Sequence, residues 1–172
     1  MTIKVSLWTT LLSALTLCLS AASWADDTAQ VNISGTLTEP PCKASFPASQ
    51  SVDIPKVNIH SLKSDTTHWT DVALNFQCKK GSQVRLRFNA GNGSFDSSTL
   101  NTTFDNLGLK TQLSDITSTI KAVDLKLGEQ LMFPVEGTAL KLKLSVKPIK
   151  TGQELPAIGL YSSILLMEII FL

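Results

Sequence analysis

Apolar residues in this chain recur at every second position in stretch after stretch, and nowhere in a sustained 3.6-residue period. That pattern favours strands with one buried face over amphipathic helices. Val72, Leu74, Phe76 and Cys78 share one face of the stretch Trp69–Cys78. Val84, Leu86 and Phe88 share a face of 83–89, with Arg85 and Arg87 opposite. Leu140, Leu142 and Leu144 do the same in 138–146, opposed by Lys141 and Lys143. The turn Lys79-Lys80-Gly81-Ser82 joins the first two stretches, and their proximity predicts a hairpin.

Shorter pieces fill the intervals. Val52–Ile54 and Val57–Ile59 read as strand fragments parted by Pro55, and 107–113 as a further strand. Residues 90–101, rich in Gly, Asn and Ser, read as a surface loop. Val123, Leu125 and Leu127 alternate before a turn at Gly128, and Leu131–Pro134 is a short apolar piece. Many short strands with turn signals every 8 to 15 residues predict a single all-β sandwich.

The first 25 residues read as a secretory signal peptide. Lys4 supplies the basic region, Leu11–Leu19 the apolar region, and Ser23-Trp24-Ala25 the small residues before the cleavage point. The apolar core is too short to span a bilayer. Bulky Leu17 before Cys18 argues against a lipoprotein site. With Lys4 removed, 14 basic residues balance 14 acidic ones, so no basic patch recommends nucleic acid. The two remaining cysteines, Cys42 and Cys78, read as a disulfide of an exported protein rather than a metal site. In the chain-entropy picture, closing a loop of that length stabilises the fold by about 4 kcal/mol.

Catalytic signals are absent from the sequence. The two histidines, His60 and His68, stand outside any recognisable nucleophile or metal motif. The proposed bridge consumes both mature cysteines. The reading is of a protein that is not an enzyme and takes neither cofactor nor metal.

Both ends of the mature chain carry unusual apolar character. Residues 158–172 end in Ile164-Leu-Leu-Met-Glu-Ile-Ile-Phe-Leu172, with one charge and no polar tail. A membrane span is too long for this stretch, which also contains Ser162, Ser163 and Glu168. Two destinations remain: a central strand buried on both faces, or one wall of an open core that a segment of another molecule completes. The second has a matching segment at the other end. Ala29, Val31, Ile33, Gly35 and Leu37 alternate with polar residues, and Gly35 leaves a notch for close approach.

Taken together, these features resemble the subunits of chaperone–usher fimbriae (pili) of Gram-negative bacteria, in particular their minor, adaptor-type pilins. The resemblance covers the whole mature chain. It rests on the alternating strand Val31–Thr38 leading shortly to Cys42 and on Cys78 ending a strand. It rests also on Gly159, fourteenth from the C-terminus, and an aromatic penultimate residue, Phe171. Tyrosine is usual at that last position; here the ring is kept and the hydroxyl lost.

The resemblance implies an incomplete immunoglobulin-like sandwich lacking its last strand, completed in trans by a donor strand. Residues 1–25 would be the signal peptide, 26–38 the donor-strand extension and 39–172 the pilin domain. Ala29, Val31, Ile33, Gly35 and Leu37 would form the donor face. Gly159, Leu165, Met167, Ile169, Phe171 and Leu172 would form the groove and the strand that a chaperone holds. The implied partners are a periplasmic pilus chaperone, an outer-membrane usher and neighbouring pilin subunits, with passage through the periplasm to a cell-surface fimbrium. Direct membrane insertion is not expected. The alternatives are a fimbrial adhesin and a self-contained secreted β-sandwich binding protein.

Overall fold

A computed structural model of the chain describes residues 31–37, 39–118 and 121–171, the last without its side chain. The expected signal peptide, Ala29 and Leu172 lie outside the described residues. The chain divides into two units between residues 37 and 38. Of the first unit, residues 31–37 run without helix or strand, with side chains exposed. The strand expected there is therefore not present as a strand, since a ladder needs a partner.

In chain order the second unit contains β1 (Cys42–Ala44), a short helix α1 (Ile59–Lys63), β2 (Thr70–Cys78) and β3 (Gln83–Ala90). Then follow β4 (Thr99–Asn101), β5 (Leu107–Asp115), β6 (Val123–Asp124), β7 (Gln130–Pro134), β8 (Ala139–Lys150) and β9 (Leu165–Phe171). One sheet has the order β1-β2-β8-β5-β4, with β6 also on β5; the other is β7-β3-β9. All the pairings are antiparallel. The fold is an all-β, immunoglobulin-like sandwich.

The long strand β8 organises the first sheet, pairing with β2 from Ala139 to Val146 and with β5 from Leu142 to Lys150. Its alternation works as the sequence pattern demands: Leu140, Leu142, Leu144 and Val146 turn inward, Lys141 and Lys143 outward. They meet Val72, Leu74 and Phe76 from β2, and Val84, Leu86 and Phe88 from β3, in one core cluster. The Cys42–Cys78 disulfide is formed and ties β1 to the end of β2, where the two residues are ladder partners.

Four expectations need correction. The stretches 70–78 and 83–90 do not form a hairpin: β2 lies in one sheet and β3 in the other. The 79–82 turn carries the chain across the sandwich, held by Lys79 N–H to Pro41 O and Gly81 N–H to Val135 O. Period-two alternation fixes which side of a strand is buried, but two apolar faces can meet across the core instead of side by side. Residues 52–59 form no strand. Asn58 Oδ1 accepts from His60 N–H and caps α1, five residues that are too short to show a helical period.

The supposed surface loop 90–101 ends in β4, and Ser98, Thr99 and Leu100 are buried. Asp96 organises the approach by accepting from Ser98 N–H and Oγ–H. Of the 123–127 alternation only Val123–Asp124 joins a ladder, while Leu125 is buried beyond it.

The sandwich is closed along one flank. Leu125 N–H bonds Thr111 O, Leu127 N–H bonds Ser97 O and Gly128 N–H bonds Phe88 O, linking the β5 side to the second sheet. Asn101 N–H to Gly93 O and the Ser94–Leu100 bridge join β4 to the extension of β3. Among the described residues no comparable ladder joins β1 to β9. No helix among them is long and apolar enough to cross a membrane.

Two outcomes test this packing. Leu142, wholly buried, should cost about 2–5 kcal/mol when changed to Ala, read as a lower urea midpoint. Asp71 accepts from Ser145 Oγ at 2.6 Å and pairs with Lys143 Nζ at 3.0 Å. The Ser145 hydrogen bond, then the one from Lys143, holds the carboxyl below its ordinary value. A carboxyl depressed in the folded state stabilises above its unfolded pKa and loses that contribution as pH falls through the folded value. Asp71→Asn should therefore flatten the fall in unfolding free energy below about pH 4.

Candidate functional site at the open edge of the sandwich

β9 has the sequence Leu165-Leu-Met-Glu-Ile-Ile-Phe171, and its alternation sends Leu165, Met167 and Ile169 toward the core. It pairs along its whole length with β3, from Ala90–Leu165 to Val84–Phe171. On its other side no strand follows in the sheet among the described residues. Half of the strand's backbone N–H and C=O groups thus point along an edge rather than into a ladder.

The consequence shows in the burial. Val84, Leu86 and Phe88 on the neighbouring β3 are shielded to within 1% of their surface. Leu165, Met167 and Ile169, one strand further out, pack on the same cluster yet stay only partly buried. The opposite sheet stops at β1, three residues long, after which residues 45–58 form no strand. Phe46 and Ile54 from that segment are partly buried against the cluster, and the Phe46 ring stands edge-on to Phe76 at 5.2 Å. Core side chains are present on both sides, while β1 and β9 lack a ladder between them.

Edge strands of stable monomers carry devices that discourage pairing, such as lysine, proline or a bulge. β9 has none of these, and its one charge, Glu168, is paired with Arg87 across the ladder at 3.4 Å. That pair is solvent-exposed and contributes at most about 1 kcal/mol. Leu166, on the outward face, remains 54% exposed. The strand is therefore not the doubly buried central strand weighed from its composition. It is an open edge suited to strand addition.

The approach to β9 is held firmly. Thr103 N–H donates to Ser162 O, Ser162 N–H to Thr103 Oγ1, and Ser163 Oγ–H to Asn101 O at 2.6 Å. Gly159 lies six residues before the strand, in a bend, where the Phe104 ring packs over it. A Cβ on Gly159 would stand 2.9 Å from Phe104 Cζ, so a side chain there would force the ring to shift. Burial pushes the nearby Tyr161 phenol up.

Leu165, Met167 and Ile169 are thus brought together on one inward face. The Phe171 backbone pairs with Val84, while its side chain and Leu172 fall outside the described residues. Val31, Ile33, Gly35 and Leu37 belong to the first unit, where they lie outside any helix or strand and are exposed. Reasoning from the sequence passed over Phe46, which is partly buried on the same cluster together with Ile54, Leu131 and Phe133 from the short apolar pieces. Phe46 sits as an isolated large apolar residue, so no periodicity marks it.

Other chemistry is sparse. His60 and His68 are exposed, and among the described residues no three His, Cys, Asp or Glu side chains are grouped to hold a metal ion. A cavity of about 340 Å³ lies elsewhere, bordered by Leu62, Lys110, Lys147 and Ile149 beside α1.

No family model and no curated protein matches this chain. Solved structures do. The P pilus rod subunit PapA is similar with a TM-score of 0.57 and 17% identity, over 77% of this chain and 99% of that one. A chaperone–usher pilus structure concerned with rod uncoiling gives 0.59 and 17%, over 88% and 100%. The P pilus adaptor subunit PapF gives 0.52 and 16%, over 77% and 96%. The chain thus shares the immunoglobulin-like fold of pilus subunits.

The Gly159–Phe104 contact gives a direct test. Gly159→Ala should destabilise the domain by about 1–3 kcal/mol, the usual cost of overpacking. In a Phe104→Leu background the same change should cost much less, read by urea unfolding as a double-mutant cycle.

Proposed function

We propose that this protein is a structural, non-catalytic subunit of a chaperone–usher fimbria, of the minor adaptor type, assembled by donor-strand exchange. The observation that carries the reading is the open edge at β9, with Leu165, Met167 and Ile169 half covered over a core otherwise well buried. An alternating segment in the same chain, at Val31, Ile33, Gly35 and Leu37, matches what such an edge takes. The likeness of fold to PapA and PapF supports the same role.

In this reading a periplasmic chaperone lends a strand to β9 and holds the chain end at Phe171 and Leu172. At the outer-membrane usher, the extension of a neighbouring subunit replaces it, and the fibre reaches the cell surface. The inserted strand supplies backbone hydrogen bonds along the edge, and its alternate side chains enter the core. Ala29, Val31, Ile33 and Leu37 form the inserted face, with Gly35 allowing close approach. Burying about four apolar side chains at roughly 1.5–3 kcal/mol each gives a gross gain of order 6–12 kcal/mol. Ordering the segment offsets part of that gain. The remainder sustains a long-lived non-covalent polymer.

The test uses the chain from residue 39 onward with a synthetic peptide of residues 29–38. The peptide should raise the thermal midpoint in a concentration-dependent way, and an Ile33→Asp peptide should not. A chain whose melting is indifferent to the wild-type peptide overturns the reading.

A further inference from the structure

The approach loop presents a second feature that strand exchange does not use. Ile158 is 91% exposed and Leu160 97% exposed, on either side of Gly159, with Leu155 also exposed nearby. Neither aliphatic residue is on a loose tip. The loop is pinned by Phe104 over Gly159, by the Thr103–Ser162 and Asn101–Ser163 hydrogen bonds, and by Lys150 Nζ to Gln153 O. Pro156 within it is buried. A held loop that keeps two aliphatic side chains in water marks a contact surface.

We infer that the loop 155–160 is a second contact between consecutive subunits, received by the neighbour's pole around its 79–82 turn. The inference rests on the donor-strand reading and specifies where the donating subunit's body must lie. A strand completing an immunoglobulin-type sheet beside β9 runs antiparallel to it. The C-terminal end of the inserted segment, Leu37, then faces the start of β9 at Leu165. Four residue steps from Leu37 to Pro41 span at most about 15 Å. Pro40-Pro41 keeps that connector stiff.

Pro41 in turn is fastened to the pole, because its carbonyl accepts from Lys79 N–H and Cys42 is bridged to Cys78. On the receiving side, Leu160 precedes Leu165 by five residues, a reach of about 17 Å at most. Both bounds limit how far the donor's pole can lie from the acceptor's loop.

Charge agrees in sign. Around the loop the exposed acids Glu154 and Asp105 outnumber Lys150. Around the pole Lys43, Lys79 and Lys80 outnumber Glu39 and Glu136, all exposed, with Lys43 paired to Glu39. The occupant is thus a second copy of this chain. The contact joins the stiff connector to a fixed seat and sets how far consecutive subunits bend.

The experiment uses fibres of the mature chain assembled with its chaperone. Leu160→Cys combined with Lys80→Cys should yield, on mild oxidation, a covalent ladder that survives boiling, and neither single variant should. Ile158→Asp with Leu160→Asp should leave the non-covalent ladder of unboiled samples intact but shorten the persistence length of fibres by electron microscopy. Fibres that form normally, do not cross-link and keep their stiffness overturn this contact while leaving donor-strand exchange standing. A wild-type chain that never polymerises overturns the donor-strand reading, and the contact falls with it.

Discussion

The rest of the structure depends on the one-sided pairing of β9. Its ladder to β3 satisfies half of its backbone groups and orients Leu165, Met167 and Ile169 toward the core. Its other side has no strand among the described residues, and those three side chains are only partly covered. The hydrophobic effect scales with apolar area removed from water, and here a portion of that area is withheld. The disulfide at Cys42–Cys78 and the long ladders of β8 hold the remaining sandwich in shape around the gap. The edge is therefore rigidly presented while lacking a strand on one side.

Placement of the gap follows from how the two sheets are closed. Hydrogen bonds at Leu125, Leu127, Gly128 and Asn101 stitch the sheets together on the β4–β5 flank. The opposite flank has only the three-residue β1 and an irregular segment in which Phe46 and Ile54 touch the core. The approach loop sits at one end of β9, fixed by Phe104 and carrying Ile158 and Leu160 outward. In the proposed fibre the edge accepts a strand, and the loop meets the body of the subunit that sends it.

Much of the fold could be read from the alternation itself. Strands β2, β3, β5 and β8 lie within a few residues of the expected stretches, and the inward residues of β2, β3 and β8 are the expected ones. The pairing of Cys42 with Cys78 was legible because, with Cys18 assigned to the expected signal peptide, they are the two cysteines left. Residues whose burial arises from distant neighbours left no local trace. Thr99 and Leu100 are buried inside a stretch of Gly, Asn and Ser because β5 lies against them. Gly159 reads as a landmark in sequence, yet its need for a missing side chain comes from Phe104, fifty-five positions away.

By itself the sequence determined the buried faces of β2, β3 and β8, the bridge, and the presence of an apolar strand near the C-terminus. It did so because side-chain direction alternates along any strand, whichever partner the strand has. Only the tertiary structure decided that β2 and β3 lie in opposite sheets, and that β9 is an edge instead of a central strand. Strand order is a property of contacts between distant segments, and the same apolar face can be buried by a neighbour alongside or a sheet across the core. An open edge is visible only when every other strand has found its place.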